Sequence, residues 1–135
     1  MIPTHLLDTD VVIDVLRRSS PEARPRLEAL GDGIAVSSVS EMELRYGAAR
    51  SARPADNVRA VDEFLSFVTV LSFDRPAAIH AGEIRADLAG SGRSIGAYDV
   101  LLAGHARARS VVMVTGNVRE FSRVDGLRVL DWARA

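Results

Sequence analysis

The sequence contains no cysteine and no lysine, and each absence excludes a class of site. Without cysteine, the chain can form neither a disulfide framework nor a thiolate site for a metal ion. All 17 basic residues are arginines. A P-loop nucleotide-binding site requires the lysine of its G-K-[ST] motif, so that class is excluded as well.

Strong net charge and long apolar runs are also lacking. The formal net charge is −1, so no global field attracts nucleic acid or a membrane surface, and a nucleic-acid role would need a local basic patch. No apolar run approaches the roughly 18 residues of a membrane span, and the N-terminus lacks the pattern of a signal peptide. We therefore expect a cytoplasmic protein.

What is present is the composition of one soluble globular domain, with 47% apolar and 26% charged residues over residues 1–135. Short apolar segments alternate with segments of helical periodicity, which predicts an α/β fold: a central parallel sheet of about five strands with helices on both faces. The predicted strands are 5–7, 34–36, 70–73, 111–114 and 127–130. The predicted helices are 11–18, 21–30, 37–51, 57–68, 76–89 and 97–107.

The stretch LLDTDVVID places Asp8, Thr9 and Asp10 between two apolar runs. Any one of them could cap the helix that follows, since Asp and Thr are common N-caps. One helix needs only one N-cap, however, and a buried carboxylate without a partner is unfavourable. Asp8 ends the first predicted strand, which is where parallel α/β sheets bind ligands.

Two glutamates lie near the start of the third predicted helix. The segments SVSE and SEME, which end at Glu41 and Glu43, both fit a capping box, and only one of them can be used. The first box, with Ser38 as N-cap, agrees better with a strand that ends at Val36. Glu43 then lies in the helix body, where it is either a surface residue or part of a site.

Asp99 begins the most apolar predicted helix, in IGAYDVLLAGHA. A helix N-terminus stabilises an anion by roughly 0.3–1 kcal/mol, which is one explanation; a cleft with a metal ion is the other. Asn117 follows the fourth predicted strand and is most simply a turn residue. His5, His80 and His105 do not have zinc-site spacing, and we expect His105 to be packed or hydrogen-bonded.

Asp8, Asp99 and Asn117 thus lie at predicted strand ends or helix starts, and Glu43 lies near the start of the helix that follows the second predicted strand. In a parallel sheet these points converge on one cleft, where several carboxylates cannot all stay ionised without a cation. Ligands that offer only oxygen suit Mg²⁺ or Mn²⁺.

The order of the motifs in this sequence resembles that of a known family. The motifs LLDTDVVID, SSVSEMELRYGAA, IGAYDVLLAGHA and VTGNVREF, in this order and spacing, resemble those of PIN-domain ribonucleases, above all the VapC toxins of bacterial toxin–antitoxin pairs. The resemblance covers nearly the whole chain, including the closing GLRVLDW. Each motif is weak alone, whereas the ordered set is specific.

The resemblance implies a Mg²⁺-dependent endoribonuclease in which Mn²⁺ can substitute. It assigns Asp8, Glu43 and Asp99 to the metal-binding acids. It places Asn117 where many members have a fourth acid, and it matches Thr115 to a small hydroxyl residue. It also implies an RNA substrate, a homodimer, and a VapB-type antitoxin whose C-terminal segment lies over the active site.

The chemistry of phosphodiester hydrolysis agrees with this assignment, because it needs an activated water and a neutralised phosphate. We expect Asp8 and Asp99 to bind the metal directly, and Glu43 directly or through water. Three formal charges are too few for two divalent ions, so we expect one tightly bound ion before RNA arrives. Arginines that could contact phosphate, or simply form solvated helix faces, are Arg45, Arg50, Arg53 and Arg93.

Two other functions fit parts of the sequence. The segment DTDVV also matches the start of haloacid-dehalogenase-like phosphatases, but those enzymes require a lysine that this chain lacks. The other alternative is a non-catalytic α/β module that binds nucleic acid or protein and has a vestigial acidic site. Binding of Mn²⁺ distinguishes an active nuclease site from such a module.

Overall fold

The structure is a computed structural model that describes residues 3–17 and 23–132, and its described strands form one all-parallel sheet. The order across the sheet is β3-β2-β1-β4-β5, which confirms the predicted α/β architecture. The strands are β1 (His5–Leu7), β2 (Ile34–Ser37), β3 (Thr69–Leu71), β4 (Val112–Val114) and β5 (Val129–Leu130).

The six predicted helices are present with shifted ends, and a short seventh was not predicted. The ends predicted at Arg18 and Pro21 lie outside the described residues. The fourth helix begins at Pro54 instead of residue 57, because proline is well tolerated in the first helical turn. The helices are α1 (Thr9–Leu16), α2 (Ala23–Leu30), α3 (Ser38–Ala49), α4 (Pro54–Leu65), α5 (Arg75–Gly90), α6 (Ala97–Arg109) and α7 (Val118–Phe121), with a 3-10 turn at Gly31–Gly33. None of the helices in the described ranges is long and apolar enough to cross a membrane.

Both faces of the sheet are buried, because successive side chains of a strand point to opposite faces. Leu6 belongs to the core under α5 and α6, whereas Leu7 belongs to the core under α1, α3 and α4. Met113 and Val114 divide in the same way on β4. The predicted helices on both faces are therefore confirmed, and β1, at the centre, and β4 beside it are packed between two cores.

Helix α6 packs against α5 at very short range. A Cβ atom added to Gly104 would lie 2.5 Å from the backbone nitrogen of Ala81, so only glycine fits at this crossing. The next residue of α6, the fully buried His105, places its Nδ1 atom 2.9 Å from the Ser37 hydroxyl at the end of β2. The prediction of a hydrogen-bonded core histidine is confirmed, and these contacts fix α6 against the sheet.

The strand order creates a switch point beside β1. After β1 the chain builds outward through β2 and β3 on one side, and then returns to place β4 and β5 on the other. Ligands of open parallel sheets bind at the carboxyl ends of the strands at such a point. Asp8 follows β1 and Thr115 follows β4, and the Asp8 amide donates to the Val114 carbonyl at 2.8 Å.

Candidate active site

Asp8 occupies the N-cap position of α1, but its side chain does not cap the helix. Its carboxylate instead accepts a hydrogen bond from the Thr115 hydroxyl, with Oγ1 2.8 Å from Oδ2. Asp8 is 4% exposed and Thr115 is 1% exposed. The surplus of candidate caps in the sequence is thereby explained, because this carboxylate is directed at the end of β4.

The environment of Asp8 disfavours its ionised form. Its pKa is raised from 3.8 to about 6, mainly by burial, although the Thr115 hydrogen bond opposes this shift. The negative charges of Asp99 and Asp10 raise the pKa further. A buried carboxylate in a field of like charges is stabilised by a cation, so Asp8 is a suitable ligand for one.

Asp99 is the third residue of α6, after the N-cap Gly96. Its carboxylate folds back over that glycine, so that a Cβ atom at Gly96 would lie 3.1 Å from Oδ2. Burial raises the pKa of the half-buried Asp99 carboxyl, as do the charges of Glu120, Glu43 and Asp10. Asp8, Asp99 and Glu43 therefore share one electrostatic environment, which we call the acidic cleft.

Glu43 lies in the body of α3, as predicted, although the predicted N-cap was wrong. The N-cap is Ser37, whose hydroxyl accepts from the Val39 amide at 3.0 Å. Strand β2 ends at Ser37, one residue later than predicted. Ser38 does not cap the helix; its Oγ atom accepts from the Phe73 amide at 3.0 Å. Phe73 therefore lies outside the third strand, in which it was predicted. Neither capping box is used, and the Glu43 carboxylate accepts from the Thr9 hydroxyl at 2.7 Å.

Asn117 occupies the N-cap position of α7 without a side-chain capping bond. Its backbone amide donates to Thr115 Oγ1 at 2.9 Å, so it helps to orient the hydroxyl that binds Asp8. The turn interpretation thus describes the backbone of Asn117. Its role in metal binding stays a prediction.

The four candidate phosphate-binding arginines make different contacts in the structure. Arg45 is engaged in ion pairs with Glu41 at 2.7 Å and Asp62 at 2.8 Å, as the alternative of a solvated helix face describes. The Arg50 guanidinium lies 5.9 Å from the centre of an aromatic ring one turn earlier on α3. Arg53 is the N-cap of α4, and Arg93 accepts a bond from Arg123 through its backbone carbonyl. Phosphate contacts by these residues remain a prediction.

The sequence-based reasoning missed two acids that act on the cleft. Asp10 had been considered only as a cap or a phosphatase residue, and Glu120 lies on the unpredicted helix α7. Both raise the pKa of Asp99, so their negative charges also act on the acidic cleft. The expectation of a single tightly bound ion before RNA arrives stays a prediction.

The donor set of the acidic cleft matches a hard divalent cation in chemistry. It offers carboxylate and amide oxygens, which Mg²⁺ and Mn²⁺ prefer. Within residues 3–17 and 23–132, no three Asp, Glu or His side chains converge closely enough to hold an ion between them. Binding would therefore require these side chains to move closer together, and the ion would offset the burial and the like charges that raise the pKa values of Asp8 and Asp99.

Comparison with known proteins agrees with this geometry. The PIN domain family matches residues 5–127. The tRNA(fMet)-specific endonuclease VapC of Shigella flexneri is 43% identical over 128 residues, which is 95% of this chain and 97% of that protein. Ribonuclease VapC2 of Haemophilus influenzae is 38% identical over the same shares.

Solved structures give the same result. The DNA-bound VapBC structure from Salmonella typhimurium superposes with a TM-score of 0.94 at 41% identity, covering 97% of this chain and 99% of that one. VapBC2 from Rickettsia felis, bound to a DNA fragment from its promoter, gives 0.90 at 31% identity, covering 98% of this chain and 99% of that one. As its four ordered motifs predicted, this chain belongs to the PIN-domain family and, within it, to the VapC ribonucleases.

Proposed function

We propose that this chain is the toxin of a toxin–antitoxin pair and that it hydrolyses RNA phosphodiester bonds in the acidic cleft with Mg²⁺, which Mn²⁺ can replace. The observation that carries the proposal is the buried Asp8 carboxylate at the switch point, with its pKa raised to about 6 and with Asp99 and Asp10 acting on it. Buried acids that repel one another destabilise a fold, and strongly perturbed pKa values cluster at functional sites. This favours a catalytic site over a module that only binds.

Each residue of the acidic cleft would have its own role in binding the metal ion. Asp8 and Asp99 would hold the ion, and Glu43 would hold it directly or through water, with the Asn117 amide oxygen as a further ligand. The ion would supply a nucleophilic water at neutral pH and positive charge beside the phosphate. Thr115 fixes one oxygen of Asp8, which keeps that carboxylate directed towards the cleft.

The comparisons suggest which substrate and partners to test first. Relatives from Shigella flexneri and Salmonella typhimurium are named tRNA(fMet)-specific endonucleases, so we propose a tRNA as substrate and the initiator tRNA as the first candidate. Several of the similar structures are VapBC complexes, so we propose a VapB-type antitoxin as partner. The homodimer implied by the resemblance belongs to the same proposal.

The test is cleavage of initiator tRNA by the purified chain in Mg²⁺, in Mn²⁺ and in EDTA. We expect cleavage with either metal, none in EDTA, and none by Asp99→Asn. The matched control is Asp87→Asn, which removes an exposed acid from α5 and should leave cleavage unchanged. Full cleavage by Asp99→Asn would overturn the site, and a wild-type chain that binds no Mn²⁺ in calorimetry would favour the non-catalytic alternative.

A further inference from the structure

Thr9 is a buried polar residue that connects two of the site-bearing helices. It is the first residue of α1 and is 6% exposed. Its Oγ1 atom lies 2.9 Å from the Ser40 hydroxyl and 2.7 Å from Oε1 of Glu43. One hydroxyl group therefore joins the helix that follows β1 to the helix that follows β2.

The number of available protons sets the direction of these bonds. Thr9 and Ser40 each carry one hydroxyl hydrogen, whereas the ionised Glu43 carboxylate can only accept. Hydrogen bonds to a charged acceptor are the stronger ones, so the Thr9 hydrogen goes to Glu43. The fully buried Ser40 then donates to the Thr9 oxygen, which satisfies its hydroxyl. The result is a directed chain from Ser40 through Thr9 to Glu43.

Asp8 is held in the same way on the other side of the cleft. Thr115 Oγ1 accepts from a backbone amide at 2.9 Å and donates to Oδ2 of Asp8 at 2.8 Å. In both cases a buried threonine receives one hydrogen bond and passes its own hydrogen to one carboxylate oxygen.

We propose that Thr9 is a positioning residue of the nuclease site, which holds the Glu43 carboxylate in the orientation that acts on the divalent ion. This inference rests on the proposed function. A glutamate side chain has several rotatable bonds, so ordering it on metal binding has an entropic penalty. Because Thr9 and Ser40 already order the Glu43 side chain in the metal-free protein, this penalty is smaller when the ion binds. Partners of this kind typically change metal affinity or activity by about 10–100-fold.

The test uses Thr9→Val, which keeps the shape and removes the hydroxyl, beside Thr9→Ser, which keeps the hydroxyl. We expect Thr9→Val to weaken Mn²⁺ binding to the RNA-free protein by about tenfold or more, measured by calorimetry. The Mn²⁺ concentration that gives half-maximal cleavage should rise in parallel, whereas Thr9→Ser should stay near wild type. Thr69→Val, on the exposed edge strand β3, is the matched control and should change neither quantity.

Two further variants separate positioning from folding. Thr9→Val leaves the Ser40 hydroxyl without its acceptor, so Thr9→Val/Ser40→Ala removes both partners and should recover the melting temperature but not the Mn²⁺ affinity. In a double-mutant cycle, Thr9→Val should have little further effect on Mn²⁺ affinity once Glu43→Ala is present, because Thr9 acts through the side chain that Glu43→Ala removes.

The outcomes keep the two proposals distinct. An active wild-type enzyme in which Thr9→Val binds Mn²⁺ and cleaves RNA normally would overturn the positioning role and leave the proposed function intact. Full additivity of Thr9→Val and Glu43→Ala in Mn²⁺ affinity would overturn it too. A wild-type protein that neither binds Mn²⁺ nor cleaves RNA would overturn the proposed function itself, and the inference with it.

Discussion

Asp8→Asn should stabilise the metal-free protein at neutral pH even though it removes a proposed metal ligand. The substitution replaces a 4% exposed carboxylate with a neutral amide of nearly the same shape. The amide oxygen can still accept from Thr115, whose hydroxyl lies 2.8 Å from the carboxylate. The variant therefore loses a buried charge and keeps its hydrogen bond.

The magnitude follows from the pKa of Asp8, which is 3.8 in its ordinary state and about 6 in the folded protein. At pH 7.5 that difference corresponds to about 3 kcal/mol of destabilisation by the ionised group. In a chain of 135 residues, this is a rise of about 10 °C in melting temperature for the variant.

The direction of the Asp8 pKa shift determines how the stability of the folded protein depends on pH. Because the folded pKa is raised, the native state binds more protons than the unfolded state between pH 6 and 3.8, so the penalty of ionised Asp8 is present above about pH 6. It fades as the pH falls through this range, to about 1 kcal/mol at pH 4.5. The advantage of the variant should shrink accordingly.

Urea unfolding of wild type and variant in EDTA, at pH 7.5 and 4.5, measures this difference. His5 and His105, whose pKa values burial lowers, titrate alike in both proteins and so largely cancel. A variant less stable than wild type at pH 7.5, or an advantage equal at both pH values, would show that the charge of Asp8 is already compensated and would refute the reasoning. Cleavage by the same variant should be lost.

Three further predictions concern packing and the metal. Gly104→Ala should destabilise the protein by about 1–3 kcal/mol, because the added Cβ would meet the α5 backbone, whereas Gly82→Ala, which meets nothing within 4 Å, should not destabilise it; urea unfolding compares the two. Mn²⁺ at a hundredfold excess over its Kd should stabilise the wild type by about 2.7 kcal/mol, and equal melting shifts in wild type and Asp99→Asn would place the ion elsewhere. Asn117→Asp should strengthen Mn²⁺ binding in calorimetry of the RNA-free protein, because it adds a carboxylate ligand. Asn117→Ala should reduce cleavage less than Asp8→Asn does. An Asn117→Ala variant as inactive as Asp8→Asn would contradict the subsidiary role of this amide.

The sequence predicted the sheet and two of the acids because these features depend on local pattern. Asp8 ends an apolar strand and Asp99 starts an apolar helix, and both positions can be read from a few neighbouring residues. The parallel arrangement then brings their helices and strands to one edge. Family resemblance added Thr115, which does bind Asp8 in the structure.

The remainder depends on contacts between distant parts of the chain. Thr9 bonds to residues 31 and 34 positions away, and no local pattern shows that its hydroxyl is buried. Glu120 lies on a helix of four residues, too short for periodicity to reveal. The N-cap of α3 is Ser37 and not the predicted Ser38, because the Ser38 hydroxyl accepts a hydrogen bond from the Phe73 amide, 35 positions along the chain.

The central place of β1 has a consequence for synthesis of the chain. β1 is synthesised before β2, with which it pairs, but its other edge is closed only by β4, and Asp8 meets Thr115 across 107 positions. Until β4 docks, β1 is an open edge of the sheet and Asp8 lacks its hydroxyl partner. An incomplete or truncated chain that ends before β4 thus lacks the carboxylate geometry on which cleavage depends. The strand order delays assembly of the site until β4 has been made.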